Sequence, residues 1–351
     1  MSESTPTQYH HLPQQIHTSE GKYRWGYLGT GGIAYKTAGD FKIAGINIAA
    51  VGSRHIDSAE SFGKEYSVPR AHGSYEDLVN DPEVDIIYVN TLNQLHYENT
   101  LLALNAGKHV LLEKPFTLNA YQAIKLKEAA VRNNRFLMEA MWTRFLPSQV
   151  VIKNLINSGV IGKPHLVIAD HTQNLPESNH RRLWDIEMGG GALLDLGIYC
   201  VSYATWMLGN TPSKVISSSI MSHTNVDQSD AIILEYLENG KVTAQASLTT
   251  SMMLSGSNVA HIFGSEGRME IDSRFYNDTS FRTYNKAGEL TGSFTQKIEG
   301  VGRQYQALEA ERCLDAGLIE SPVMDLESTI ANMKILDQVR VNCSLKYPHE
   351  A

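Results

Sequence analysis

Arg24-Trp25-Gly26-Tyr27-Leu28-Gly29-Thr30-Gly31-Gly32-Ile33-Ala34 decides the fold. A short apolar run stops at a glycine cluster, and a helical pattern begins directly after it. The cluster has the spacing G-x-G-x-x-A, and in a strand-turn-helix setting each position has a physical task. Gly29 permits a tight turn, Gly31 lets the backbone approach a pyrophosphate, and Ala34 allows close packing of helix on sheet. The helix N-terminus favours the negative charge brought there. Alone, such a loop is often only a tight turn; its place at the head of an alternating pattern makes Gly29, Thr30, Gly31, Gly32 and Ile33 the expected dinucleotide cradle.

Outward from this motif, apolar runs at 24–28, 46–51, 85–89, 109–113 and 136–139 alternate with helical spacing. That alternation predicts parallel strands joined by helical crossovers. Asp57 with Glu60, and Asn119 with Gln122, have capping-box spacing, and Gly107 suits a helix stop. After Pro147 one more helix, 150–157, leads into segments rich in Ser, Thr and β-branched residues. Residues 230–237 and 241–248 flank Glu238-Asn239-Gly240 and read as a hairpin, as do 261–271 around Gly264 and Gly267. The last forty residues regain helical spacing. The expectation is an α/β protein: a polar, disordered tail over 1–22, an N-terminal Rossmann domain with a parallel sheet over 23–145, and an α+β domain with a large open, mostly antiparallel sheet over 146–351.

Composition narrows the partners. The chain has 351 residues and a formal charge of -8, with no basic block, so nucleic acid and anionic membranes are excluded as expected partners. No apolar run reads as long enough to span a bilayer. Cys200, Cys313 and Cys343 contain no C-x-x-C pair, which fits a reducing compartment and predicts a soluble, cytoplasmic protein. His10, His11 and His17 in the tail read as part of a solvated arm, with adventitious metal binding as the alternative. The histidines lack metal-ligand spacing, so no metal is expected.

The end of the second strand selects the cofactor. NAD sites place a carboxylate there, whereas Gly52-Ser53-Arg54 offers a hydroxyl and a guanidinium suited to a 2′-phosphate. NADP is the expected cofactor, with NAD as the alternative, and an exposed arginine on a solvated turn remains open. Glu113-Lys114-Pro115 follows a strand directly, which aims Lys114 at the crevice where open α/β sheets bind ligands. A surface lysine reads equally well from that pattern alone. The balance shifts with Gly189-Gly190-Gly191-Ala192-Leu193-Leu194-Asp195-Leu196-Gly197-Ile198-Tyr199, which sets an acid and a phenol four residues apart on one helix. A tyrosine with a cation nearby serves as acid or base toward an alcohol, and an adjacent carboxylate orients it. A core tyrosine and a capping aspartate are the structural alternatives.

These segments, with Thr91-Leu92-Asn93, His96, Ala106-Gly107-Lys108-His109-Val110 and Glu139-Ala140-Met141-Trp142-Thr143-Arg144-Phe145, resemble the glucose-fructose oxidoreductase / inositol dehydrogenase / MocA family from Tyr23 to the C-terminus. Tyr199, where inositol dehydrogenase-like members carry His, resembles the branch of dimeric dihydrodiol dehydrogenases and NADP-dependent D-xylose dehydrogenases. The resemblance implies an oxidoreductase that moves a hydride between a nicotinamide and a secondary or anomeric hydroxyl of a sugar or cyclic diol. It implies that Lys114 and Tyr199 handle the proton, Asp195 positions substrate, and Trp142 lines the pocket. Thr91, Asn93, His96, Glu113, Lys114, Trp142 and Arg144 are then expected at the cofactor.

Two positions depart from the family pattern: Leu92 replaces a common proline, and His171 falls near a position that is aromatic in the branch. A polar ring there would favour a sugar, and a purely structural histidine is the alternative. Arg181, Arg182 and Trp184 precede the glycines and either border the pocket or are solvated. The resemblance also implies a homodimer or homotetramer through the C-terminal sheet. A keto-sugar or inositol-type reductase, an enzyme that recycles a tightly held cofactor, and a non-catalytic nucleotide-sensing regulator are the alternatives.

Overall fold

The structure is a computed structural model that describes residues 6–10, 18–295, 297–348 and 350. Much of the expected tail, His11 and His17 included, lies outside the described residues. The described part corrects the expectation in one place: β1 (Thr7–Tyr9) is a strand paired in parallel with β15 (Leu290–Phe294). Polar strands at a sheet edge are held by backbone hydrogen bonds, which apolar periodicity does not report.

The chain forms two compact units, and neither is continuous in sequence. The first comprises Ile16–Phe145 and Glu299–Met333. Its strands are β2 (Arg24–Leu28), β3 (Asn47–Gly52), β4 (Arg70–His72), β5 (Ile86–Val89), β6 (His109–Glu113) and β7 (Leu137–Ala140), in the order β4-β3-β2-β5-β6-β7. Every pair is parallel. The crossovers carry α1 (Gly32–Ile43), α2 (Ile56–Tyr66), α3 (Tyr75–Val79), α4 (His96–Asn105) and α5 (Ala120–Asn133). Strand order reverses between β2 and β5, so the loops after these two strands flank the crevice where such sheets bind ligands.

Local signals account for most element ends. Asn119 caps α5 by accepting from Gln122 N at 2.9 Å, and Gln122 Oε1 accepts from Leu118 N at 3.2 Å. The matching expectation for Asp57 fails: α2 starts at Ile56 with His55 as N-cap, so Asp57 falls inside the first turn and acts on the helix by charge only. Past α4, Gly107 takes φ +77° and Lys108 N returns to Ala103 O at 3.0 Å.

Glu299–Met333 is bound into the first unit by buried polar contacts. Asp40 on α1 accepts from Val301 N at 3.0 Å and Arg303 N at 2.9 Å, ahead of α8 (Gln304–Asp315). The Trp25 indole donates to Glu311 at 2.9 Å, and Thr329 Oγ1 donates to Glu139 at 3.0 Å. Thr329 lies on α9 (Leu326–Cys343), which is counted with the first unit through Met333 and with the second from Lys334.

In the second unit, α6 (Pro147–Asn157) precedes β8 (Pro164–Thr172), and α7 (Ile198–Leu208) precedes β9 (Lys214–Met221). Then come β10 (Asp227–Glu238), β11 (Lys241–Ser251), β12 (Ala260–Gly264), β13 (Gly267–Ile271), β14 (Phe281–Asn285) and β15. The nine-stranded sheet has the order β1-β15-β14-β13-β12-β8-β11-β10-β9. It is antiparallel except at β8/β11 and β1/β15. Glu238 pairs with Lys241 across Asn239 (φ 51°) and Gly240 (φ 75°), the left-handed pair of a tight hairpin turn. On β10, Asp230, Ile232 and Leu234 are buried while Ala231 and Ile233 are exposed. One stretch corrects the membrane expectation: Ile186–Leu208 is long and apolar enough to cross a bilayer, but most of it is buried as core.

Glu139 is fully buried, and burial raises its carboxyl to about 7 against the Thr329 bond and the Arg144 charge that favour ionisation. The neutral form therefore contributes stability that is complete below about 4.5 and is lost as pH rises through about 7. Glu139→Gln removes this titration. Its stability relative to the native chain, from urea unfolding at pH 5 and pH 8, should rise by about 3 kcal/mol across that interval; parallel pH curves would contradict it.

Candidate active site

Where β2 ends, Gly29 takes φ +115° and its N–H donates to Gly52 O at 3.0 Å. A Cβ at Gly29 would lie 2.9 Å from Asn90 Oδ1, so the strand end closes only on glycine. Gly31 is the N-cap of α1, and a Cβ at Gly32 would meet no atom within 4 Å. The first turn of α1 carries no acid, and Ala34 is fully buried. Open space before unopposed helix N–H groups fits a pyrophosphate. Thr30 Oγ1 donates to Ser53 Oγ at 3.3 Å, which ties this turn to the end of β3. Ser53 is buried; Arg54 is exposed beside the Tyr75 phenol, whose ionisation burial opposes and Arg54 favours.

Several predicted cofactor residues make hydrogen bonds within this unit. His96 is buried, with Nδ1 2.7 Å from Pro115 O and Nε2 3.1 Å from Thr91 O, so it joins the loop after β5 to the loop after β6. Thr91 Oγ1 accepts from Asn99 at 3.1 Å, and Asn93 is buried at the start of a short 3₁₀ turn. The Glu113 carboxylate accepts from the Tyr88 phenol and, at 3.2 Å, from Lys114 N; burial pushes its carboxyl up. Lys114 is half-buried and precedes a cis proline. Trp142 is buried in the turn after β7, with the Arg303 guanidinium 4.7 Å from its ring centroid. Buried Arg144 donates to Val323 O at 3.3 Å, and burial pulls its guanidinium down to about 10.

In the second unit, Gly191 (φ +115°) leads into a π-helical turn, Leu193–Gly197, followed by α7. Asp195 sits in that turn and Tyr199 in the first turn of α7; both are buried. The π turn widens the spacing expected of a regular α-helix, a local irregularity that recurs at functional sites. Arg181, the residue expected at the pocket, and Arg182 are both exposed, and Arg182 Nη2 donates to Asp195 Oδ1 at 3.1 Å. Adjacent arginines are indistinguishable in a sequence until the backbone turn is known.

The Tyr199 ring lies in an aromatic cluster. His171 meets it edge-on at 5.0 Å and stacks on Tyr276 at 3.8 Å, while Tyr276 and Tyr199 are 5.5 Å apart. His171 is buried, with Nδ1 3.2 Å from Leu196 O and Nε2 2.9 Å from the Gln173 amide nitrogen. A carbonyl accepts and an amide nitrogen donates, so the ring carries its proton on Nδ1 and accepts at Nε2. His171 thus locks the backbone between Asp195 and Tyr199. Tyr276 and Gln173 are the members of this site that sequence reasoning missed, while Arg182, left open between bordering the pocket and being solvated, pairs with Asp195; Phe275-Tyr276 after the β12/β13 hairpin was the one visible hint.

The comparisons with known proteins agree with these two units. A family model described as oxidoreductase family, NAD-binding Rossmann fold, matches residues 23–141, and the GFO/IDH/MocA C-terminal domain matches residues 150–270. Trans-1,2-dihydrobenzene-1,2-diol dehydrogenase of Xenopus tropicalis is 33% identical over 93% of this chain and 99% of its own; that of Homo sapiens is 32% identical over 86% and 90%. Among solved structures, aldose-aldose oxidoreductase from Caulobacter crescentus, complexed with glycerol, has a TM-score of 0.81 at 23% identity, covering 92% of this chain and 98% of its own. A 3-ketoreductase from Actinomadura kijaniata, in complex with NADP and TDP-benzene, has a TM-score of 0.76 at 25% identity, covering 91% and 97%. With a parallel sheet ending in a glycine cradle and a second sheet backing the Asp195–Tyr199 helix, the chain belongs to the GFO/IDH/MocA family and is an NAD(P)-binding oxidoreductase.

Proposed function

We propose that the protein is an NADP-preferring dehydrogenase acting on a secondary or anomeric hydroxyl of a sugar or cyclic diol. The observation that carries this reading is the buried Tyr199 phenol, held by His171 and Tyr276 on a helix that also carries Asp195. The named activities of the relatives, a diol dehydrogenase and an aldose oxidoreductase, support the substrate class.

When bound, the nicotinamide supplies the hydride acceptor at its C4. The Lys114 ammonium stabilises the Tyr199 phenolate, which takes the hydroxyl proton and returns to the phenol, and Asp195, paired with Arg182, orients the hydroxyl. Trp142 lines the pocket and Gly29–Ile33 hold the pyrophosphate. Ser53 and Arg54 take the 2′-phosphate, and Thr91 and Asn93 border the cofactor. His96, Glu113 and Arg144 act on it by holding its loops, which fits their engaged side chains. His171, polar at a position that is aromatic in the branch, favours a sugar over an aromatic diol. The ketoreductase neighbour favours a second reading, reduction of a keto sugar by the same groups run in reverse.

Lys114→Ala and Tyr199→Phe should each lower kcat at least a hundredfold while the NADP dissociation constant changes less than threefold. A panel of pyranoses, inositols and trans-dihydrodiols, assayed in both directions, identifies substrate and direction; native turnover in both variants would end the reading. Arg54→Ala should raise KM for NADP at least tenfold and leave KM for NAD unchanged, since one charge-assisted pair to phosphate is lost. Equal efficiency of the native enzyme with both cofactors would exclude the preference.

The outer face of the nine-stranded sheet supports a homodimer. Ile216, Ile233, Ser247, Ile168 and His261 are successive cross-strand neighbours over β9, β10, β11, β8 and β12, and the three isoleucines are exposed. An apolar row of this kind suits a self-complementary interface. Sedimentation equilibrium should give twice the chain mass or four times, and Ile233→Lys should lower it; a monomer at micromolar concentration would refute the interface.

A further inference from the structure

The glycine turn that delivers Asp195 and Tyr199 has no side chains with which to fix itself, and two remote residues hold its backbone. The Tyr347 phenol, 157 residues away, donates to Gly190 O at 2.6 Å. Asp227 Oδ2 accepts from Leu193 N at 2.5 Å. A Cβ at Gly191 would lie 2.2 Å from Asp227 Oδ1, so the carboxyl stands directly against the turn. The same turn closes on its own approach, with Gly191 N donating to Leu183 O at 2.8 Å and Gly190 N to Asp185 O at 3.1 Å.

Both remote groups are themselves fixed. Asp227 is fully buried at the start of β10 beside Asp230, which accepts from Ser219 Oγ at 2.6 Å. Burial, with Asp230 adding to it, pushes the Asp227 carboxyl well above its usual range. Tyr347 is buried beyond the end of α9, with the Arg340 guanidinium 5.1 Å from its ring centroid. Its backbone N–H donates to Glu350 at 3.0 Å, and Glu350 also pairs with Arg340.

We propose that Tyr347 and Asp227 are positioning residues of the reaction, setting where Asp195 and Tyr199 stand by fixing the Gly190 carbonyl and the Leu193 N–H. The inference rests on Tyr199 and Asp195 being the reacting pair. A π turn leaves its first N–H groups without partners inside the helix, so the Leu193 N–H needs an outside acceptor. A displacement of about 1 Å at a reacting group costs up to about a hundredfold in rate, so even a partial release of the turn is visible in turnover.

Tyr347→Phe removes one hydroxyl and keeps the ring. With the best substrate of the panel, kcat should fall about tenfold while the NADP dissociation constant stays within twofold. Introduced into Tyr199→Phe, the same substitution should cause a much smaller further loss, because only Asp195 is left to aim. Asp227→Asn, which retains an acceptor for Leu193 N–H, should keep at least half of native kcat, and Asp227→Val should lose about tenfold; this pair carries the test should Tyr347→Phe not fold. Native kcat in Tyr347→Phe beside a crippled Tyr199→Phe overturns the inference alone, as does an equal further loss in the Tyr199→Phe background, the mark of a general structural role. Native activity of Tyr199→Phe itself removes the reacting pair and the inference with it.

Discussion

Where the six-stranded sheet reverses its order, β2 and β5 end side by side, and the space between their following loops is too small for a Cβ. Gly29 meets that constraint with φ +115° and Asn90 Oδ1 where a side chain would stand. Everything at this end of the sheet follows from it. The turn after Gly29 exposes the N-terminus of α1, Thr30 reaches Ser53 across the β3 end, and the β5 loop is tied by His96 to the loop after β6 that begins with Lys114. An open, unfilled approach to the helix N-terminus is thus a consequence of closing the sheet tightly.

The same unit needs a piece of chain from far downstream. Asp40, Trp25 and Glu139 are polar groups placed in or against its core, and each finds its partner in Glu299–Met333. Without those partners they would be buried donors and acceptors with nothing to bond, a cost of about 1–3 kcal/mol apiece. The returning segment therefore belongs to the nucleotide fold on energetic grounds, although every residue between 146 and 298 separates it in sequence.

That return is also where sequence reading reaches its limit. The strands 24–28 and 109–113, the Asn119 cap and the Asn239-Gly240 turn were legible because each depends on residues a few positions apart. The short β4, Arg-Ala-His, is half-buried along its length and carries no apolar run. β1 is polar, and β8 joins an otherwise antiparallel neighbourhood in parallel to β11. Such features are decided by partners distant in the chain. Among site residues the motif types were legible, but the hydrogen bonds of His96, Glu113 and Arg144 to carbonyls, a phenol and a backbone amide were not, because the fold decides those partners.

The second unit solves a different problem. A phenol and a carboxylate are fixed on a helix whose approach is three glycines, the most flexible residues available. Regular helix bonds cannot do this, since the π turn departs from the α pattern where Asp195 sits. The unit instead supplies contacts from several separate places: Arg182 on the Asp195 carboxylate, His171 on Leu196 O, Asp227 on Leu193 N, and Tyr347 on Gly190 O. Each fixes a different atom of the same short stretch, and their anchors lie on the 3₁₀ turn before the glycines, β8, β10 and the segment after α9. Glycines give the backbone room to take the required path, and the surrounding sheet removes the freedom they bring.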